Sequence, residues 1–268
     1  MVTRILSAVV LIPLVLWLII GAPPIATLCL TILASVGLMW EWEKLQGAVN
    51  QQRFVWWAGG AALFQMLAYV GQSRLIPWVL LIVLFNRIAI EALRYDGKSQ
   101  DRQGASRIAL SLFGLIYAAL PLALLMEIRL LDQGPAWICL ALFVIWATDS
   151  GAYFTGRAMG NVKLAPRLSP KKTREGAIGG LVVGLSAGTL TAYAFELPLS
   201  YGHAFAAAAI ISLAGQMGDL VESFFKREAA VKDSGGLIPG HGGLLDRLDS
   251  LLFATPLYYA YLLWMGLL

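Results

Sequence analysis

Nine apolar runs, each near the ~17–25 residues that a helix needs to cross a bilayer, divide this 268-residue chain almost from end to end. Their approximate limits are 5–21, 24–41, 54–71, 75–93, 108–128, 136–156, 177–196, 203–225 and 250–267. Lipid offers no partner to a backbone N–H or C=O, so runs of this length must be helices. Charged residues make up only 13% of the chain, against about 25% in an ordinary soluble domain. The expected fold is all-α: a polytopic integral membrane protein with about nine transmembrane helices. The third run is interrupted by Gln65, and the fourth carries Arg87 and Glu91.

Cytoplasmic loops of membrane proteins hold an excess of Lys and Arg. With the N-terminus in the cytoplasm, 17 of the 20 basic residues fall on that side. Arg74 and Arg129 fall on the other, and Arg87 lies within a run. An odd number of spans then leaves the C-terminus outside. The net charge of +4 is thus a cytoplasmic-loop property. It suits an anionic leaflet or anionic substrates, though topology alone also produces it. The first run is followed by Gly21-Ala22-Pro23-Pro24 rather than a small-residue cleavage site, so a retained anchor is expected. Cys29 and Cys139 lie in apolar runs without disulfide or metal spacing and read as buried, inert thiols.

No internal repeat and no soluble domain stand out. Residues 1–268 read as one transmembrane domain, with helices of about 5–128 as scaffold and those of about 136–268 carrying a site. The two longest polar stretches, 157–176 and 226–249, both fall on the cytoplasmic side, where function is to be sought.

The end of the eighth run places Asp219, Glu222, Ser223 and Lys226 at i, i+3, i+4 and i+7, which stacks them on one helical face. Carboxylates inside a span are costly and usually face a cavity or a partner; a helix end solvated at the interface is the competing reading for Glu222. Asp149 lies deeper in the sixth run, between Thr148 and Ser150, where a structural hydrogen bond to a neighbouring helix is the plainer alternative. Asp246 and Asp249 stand one turn apart at the start of the ninth run. Helix-dipole capping accounts for one of them. Between these helices five of the nine residues from Gly235 to Gly243 are glycine, which lets backbone N–H groups approach phosphate oxygens; flexible linkage is the alternative, against which Pro239 and His241 argue. In the other loop, Ser169 as N-cap and Pro170 at the first position would start a helix and make an anion site. Gly176, Gly180, Gly184 and Gly188 recur every fourth residue in the seventh run and read as a packing stripe.

The stretch from Ser223 to Asp249 resembles the signature of the phosphatidate cytidylyltransferases (CDP-diacylglycerol synthases). Ser223, Lys226, Arg227, Lys232, Asp233, Gly235, Pro239, His241, Gly242, Gly243, Asp246, Arg247 and Asp249 fill its fixed positions. A second family element is met by Ser169, Pro170, Lys172, Thr173, Glu175 and Gly176. The resemblance implies transfer of a cytidylyl group from CTP to phosphatidate at the inner membrane, facing the cytoplasm. It implies a Mg²⁺ site drawn from Asp219, Asp246, Asp149, Asp249 and Glu222, with Asp219, Asp246 and Lys226 as catalytic residues. Substrate contacts would come from Ser169, Lys171, Lys172, Thr173, Arg174, Ser223, Arg227, Lys232, Asp233, His241, Gly242, Gly243 and Arg247. A second metal or a monovalent ion, and a homodimer, stay open; nucleic acid is not an expected partner. A CTP-dependent polyprenol or phytol kinase is the nearest rival. An ion-coupled transporter, which would use Asp149 and Asp219 as a relay, is the rival from another class.

Overall fold

The computed structural model describes residues 2–47, 51–94, 104–237 and 242–268. Helices occupy the positions of all nine apolar runs: α1 Val2–Ile20, α2 Pro24–Leu45, α3 Gln51–Tyr69, α4 Ile76–Arg94, α5 Gly104–Leu130, α6 Gly134–Met159, α7 Arg174–Ala194, α8 Tyr201–Glu228 and α9 Leu245–Trp264. Among the described residues, six helical segments are long and apolar enough to cross a membrane: Pro24–Leu45, Ser73–Leu93, Gly104–Leu130, Gly134–Met159, Arg174–Ala194 and Tyr201–Glu228. The start of α9 is polar because its first turns carry Asp246, Arg247 and Asp249.

The polar residues that interrupt the third and fourth runs are paired within the fold. Gln65 is fully buried and its Nε2 donates to the Ala119 carbonyl of α5 at 2.9 Å. Arg87, 2% exposed, meets Glu91 at 2.6 Å. The Ala119 carbonyl lies in a π turn, Leu115–Ala119, within α5. Pro121 follows immediately; it has no N–H to give to the Tyr117 carbonyl four residues back, and a local change of helical pitch is the usual accommodation.

The glycine stripe of α7 is a helix contact, as expected. Gly176, Gly180, Gly184 and Gly188 are all buried. A Cβ on Gly180 would stand 2.7 Å from the Thr148 carbonyl of α6, and one on Gly184 would strike the Thr148 hydroxyl and come within 3.1 Å of Ser212 Oγ on α8. Gly184→Leu should therefore lower the melting temperature in detergent, by overpacking of the kind that costs about 1–3 kcal/mol. An unchanged melting temperature would contradict this packing.

Two expectations are corrected. Ser169 and Pro170 do not open a helix: Ser169–Thr173 is a strand (β2), paired antiparallel with Lys163–Ala165 (β1). The helix begins later because Thr173, in an extended conformation, caps it by accepting the Gly176 N–H, and Glu175 reaches back to the Val162 N–H. In a two-stranded hairpin Pro170 lies on an edge strand, where its missing N–H is tolerated. The fold is thus helical with one small hairpin. Cys29 is exposed while Cys139 is buried, because Cys29 shares the outward stripe of α2 with Ile25 and Leu33.

Helix α9 makes contacts with helices from both ends of the sequence. It packs along α8 and also touches α2, α5 and α6.

Candidate active site

The polar face of α8 meets the start of α9. Lys226 Nζ sits between Glu222 Oε2 at 2.6 Å and Asp246 Oδ1 at 2.7 Å. The other oxygen of Asp246 accepts from Ser234 N at 3.0 Å, Ser234 Oγ at 2.9 Å and Gly243 N at 2.9 Å. Asp246 thereby ties the glycine-rich loop to α8.

A second carboxylate, from the opposite part of the chain, grips the same loop. Glu41 of α2, 1% exposed, accepts from Leu244 N at 2.9 Å, Leu245 N at 2.8 Å and Ser234 Oγ at 3.3 Å. Its charge sits at the N-terminus of α9, the end of a helix that favours an anion. The N–H groups of Gly243, Leu244 and Leu245 are therefore engaged by carboxylates of the protein itself, and among the described residues this part of the loop does not offer them as a phosphate cradle. The loop needs its glycines. Gly242 adopts φ +83°, and a Cβ on Gly243 would stand 2.7 Å from Glu41 Oε2 and 2.8 Å from Gly235 N. Pro239 and His241 lie outside the described residues.

Beside this lock lies an acidic triad. One oxygen each of Asp219, Glu222 and Asp249 can be chosen so that all lie within 4.8 Å of one another. Close approach of the two helices makes this possible: a Cβ on Gly218 of α8 would stand 2.6 Å from the Asp249 carbonyl. Asp219 is bridged at 2.6 Å by Lys172 of β2. Asp149 is within electrostatic reach of Asp219 and Lys172, and Thr148 beside it donates to Ser212 of α8 at 2.8 Å. Of the five carboxylates expected at a metal, Asp219, Glu222 and Asp249 form the triad and Asp149 stands alongside. Asp246 lies outside the triad but within reach of Glu222, held by Lys226 and the loop.

The triad fits a hard cation. Glu222 is 1% exposed, and its Oε1 has no hydrogen-bond partner among the described residues. A buried carboxylate oxygen without a partner is costly, and oxygen-only ligands suit Mg²⁺.

A cavity of about 420 Å³ opens next to the triad, with Asp149, Tyr153, Arg157, Lys171, Lys172, Gln216 and Asp219 among its lining residues. Its walls are α6, the hairpin, the start of α7 and α8. The glycine face seats α7 against α6, so α7 forms a wall, and α9 enters through Asp249. Of the remaining expected residues, Thr173 is the buried cap of α7 and also lines the cavity, Ser223 is buried, and Ser169 is half-buried in its strand. Arg174, Lys232, Asp233 and Arg247 are exposed. Arg227 is exposed too, and its Nε donates to the Leu168 carbonyl at 3.4 Å, joining the end of α8 to the hairpin.

Glu41 was missed by sequence reasoning. The available signal was an acid between Trp40 and Trp42 at the end of an apolar run, where an ionisable residue needs a partner.

Residues 2–265 match the model described as the cytidylyltransferase family. The chain belongs to that family. It is 48% identical over 145 residues to the phosphatidate cytidylyltransferase of Bacillus subtilis (strain 168), a match covering 54% of each chain. With the phosphatidate cytidylyltransferase of Staphylococcus aureus (strain COL) it shares 41% identity over 183 residues, 68% of this chain and 70% of the relative. The phosphatidate cytidylyltransferase of Brucella suis biovar 1 (strain 1330) is 35% identical over 274 residues, 97% of this chain and 92% of the relative. In this member of the cytidylyltransferase family, triad, lysines and cavity together form a place where a cation and anionic groups can be held side by side.

Proposed function

We propose that this cytidylyltransferase-family chain transfers a cytidylyl group from CTP to phosphatidate, giving CDP-diacylglycerol and pyrophosphate. The observation that carries the reading is the acidic triad beside a cavity lined by Lys171, Lys172 and Arg157. The names of the relatives favour neither a polyprenol or phytol kinase nor an ion-coupled transporter.

The phosphate monoester of phosphatidate has a second pKa of about 6 and is largely ionised at pH 7, so it needs no strong general base. One of its oxygens attacks the α-phosphorus of CTP, the α–β phosphoanhydride bond breaks, and pyrophosphate leaves. The barrier is the approach of one anion to another, which fixed cations lower. Lys172 and Lys226, each already held by a carboxylate of the site, would exchange that contact for a phosphate oxygen, with Lys171 in the cavity lining and the exposed Arg174, Arg227, Lys232 and Arg247 as further candidates for phosphate. Asp219, Glu222 and Asp249 would hold Mg²⁺, with Asp149 beside them. When bound, the ion would neutralise charge on the phosphate oxygens and on the departing pyrophosphate. Asp246 and Glu41 shape the loop that closes this end of the bundle.

The proposal includes nine spans, a cytoplasmic N-terminus and a site at the cytoplasmic face of the inner membrane, where CTP enters from solution and the lipid from the leaflet. Inside-out membrane vesicles supplied externally with CTP and Mg²⁺ should then convert phosphatidate and release pyrophosphate, whereas sealed right-side-out vesicles should not. Release of CDP with a phosphorylated alcohol would identify a kinase instead, and turnover only in right-side-out vesicles would reverse the orientation.

A further inference from the structure

Tyr117 lies at the centre of the π turn of α5, in the part of the chain read from sequence as scaffold, yet its ring packs against α8, the helix that carries Asp219 and Glu222. It is 8% exposed, and its hydroxyl has no hydrogen-bond partner among the described residues. Its ring is fixed on three sides: centroids lie 5.7 Å from Phe113, 5.7 Å from Phe225 and 5.9 Å from Trp42. Phe225 belongs to α8, three residues beyond Glu222, and Tyr117 is within electrostatic reach of Asp249, Glu222 and Asp219.

Two buried atoms thus lack partners in this region: Glu222 Oε1, an acceptor within the triad, and Tyr117 Oη, a donor on the ring that packs against Phe225 of the same helix. Both are buried and neither satisfies the other. Each such group costs about 1–3 kcal/mol if left unpaired, and unpaired groups of this kind mark places where something binds. A bare cation would satisfy Glu222 but not a hydroxyl donor. A hydrated cation satisfies both, because its water accepts the phenolic proton while the carboxylate takes the metal. Single-turn π segments are frequent at functional sites; here the π turn alters the helical phase that a side chain of α5 would otherwise have.

We infer that Tyr117 is a positioning residue of the acidic site, its hydroxyl donating a hydrogen bond to water on the cation held by Asp219, Glu222 and Asp249. The inference rests on the metal reading of the triad given above. Outer partners of this kind typically govern metal affinity or activity by about 10–100-fold. A purely structural tyrosine would instead stabilise the fold and leave the metal response alone.

The test is thermal unfolding of purified wild type and Tyr117→Phe in detergent, first in EDTA and then over a Mg²⁺ titration without substrates. Phenylalanine keeps the ring packing and removes only the orphan hydroxyl. The variant should melt in EDTA at or above the wild-type temperature, because an unsatisfied buried group is gone. The Mg²⁺ concentration needed to produce a given thermal shift should rise by about 10–100-fold. An unchanged Mg²⁺ dependence would overturn the role of Tyr117 while leaving the metal site standing. A variant less stable than wild type in EDTA would show that the hydroxyl already has a protein partner, and would overturn it as well. Absence of any Mg²⁺ shift in the wild type would remove the metal reading itself.

Discussion

Asp219→Asn is expected to reduce turnover by at least ~100-fold while the protein stays folded. Asp219 is the one member of the triad that also lines the cavity and binds Lys172, so in the proposed function its carboxylate would serve both the cation and the substrate pocket. The amide keeps the volume but loses the charge and a strong oxygen ligand for Mg²⁺. Stability should change little, because the Lys172–Asp219 pair is partly exposed, at 26% and 35%, and such pairs contribute about 0–1 kcal/mol. The check is kcat at saturating Mg²⁺ together with a melting curve. Activity near wild type would remove Asp219 from the site, and loss of folding would make it a structural residue.

Lys226→Met should have the largest effect on stability. Lys226 is 14% exposed and lies between Glu222 at 1% and Asp246 at 9%. Removing it leaves two buried carboxylates facing each other, and breaking a buried pair in this way costs about 3–5 kcal/mol. It also frees Asp246 from α8, and with it the loop that Asp246 and Glu41 hold. A markedly lower melting temperature is expected, with Lys226→Arg recovering part of the stability because it restores the charge. A melting temperature equal to wild type would mean that the ion pairs are not formed in solution.

The helices were legible because a bilayer imposes their length and apolarity, and each predicted run does contain one. The shared face of Asp219, Glu222 and Lys226 was legible because helical spacing alone sets it. That Asp249 would complete the triad while Asp246 bonds Lys226 and the loop was not. The two aspartates are one turn apart, and the outcome depends on how α9 is rotated, which is set by the contact at Gly218 and by Glu41 at its N-terminus. Contacts of Glu41 with Leu244 and Leu245 span about two hundred residues of sequence, and no local pattern carries them. The hairpin was hidden for another reason: Ser169-Pro170-Lys171-Lys172 has a good helix-start signature, and the competing cap at Thr173 prevailed. Tyr117 was unremarked because its position depends on the π turn and on packing against α8, neither of which hydrophobic periodicity records. Glu41, from an N-terminal helix, nonetheless grips the loop beside the triad.

The proposed site moves a cytidylyl group onto a phosphorylated lipid. The most direct test is the mass of the lipid formed when purified protein is incubated with phosphatidate, CTP and Mg²⁺. CDP-diacylglycerol, formed together with an equal amount of pyrophosphate and absent when Mg²⁺ is chelated, is the predicted result. Recovery of phosphatidate unchanged by a folded, Mg²⁺-supplied protein would contradict it.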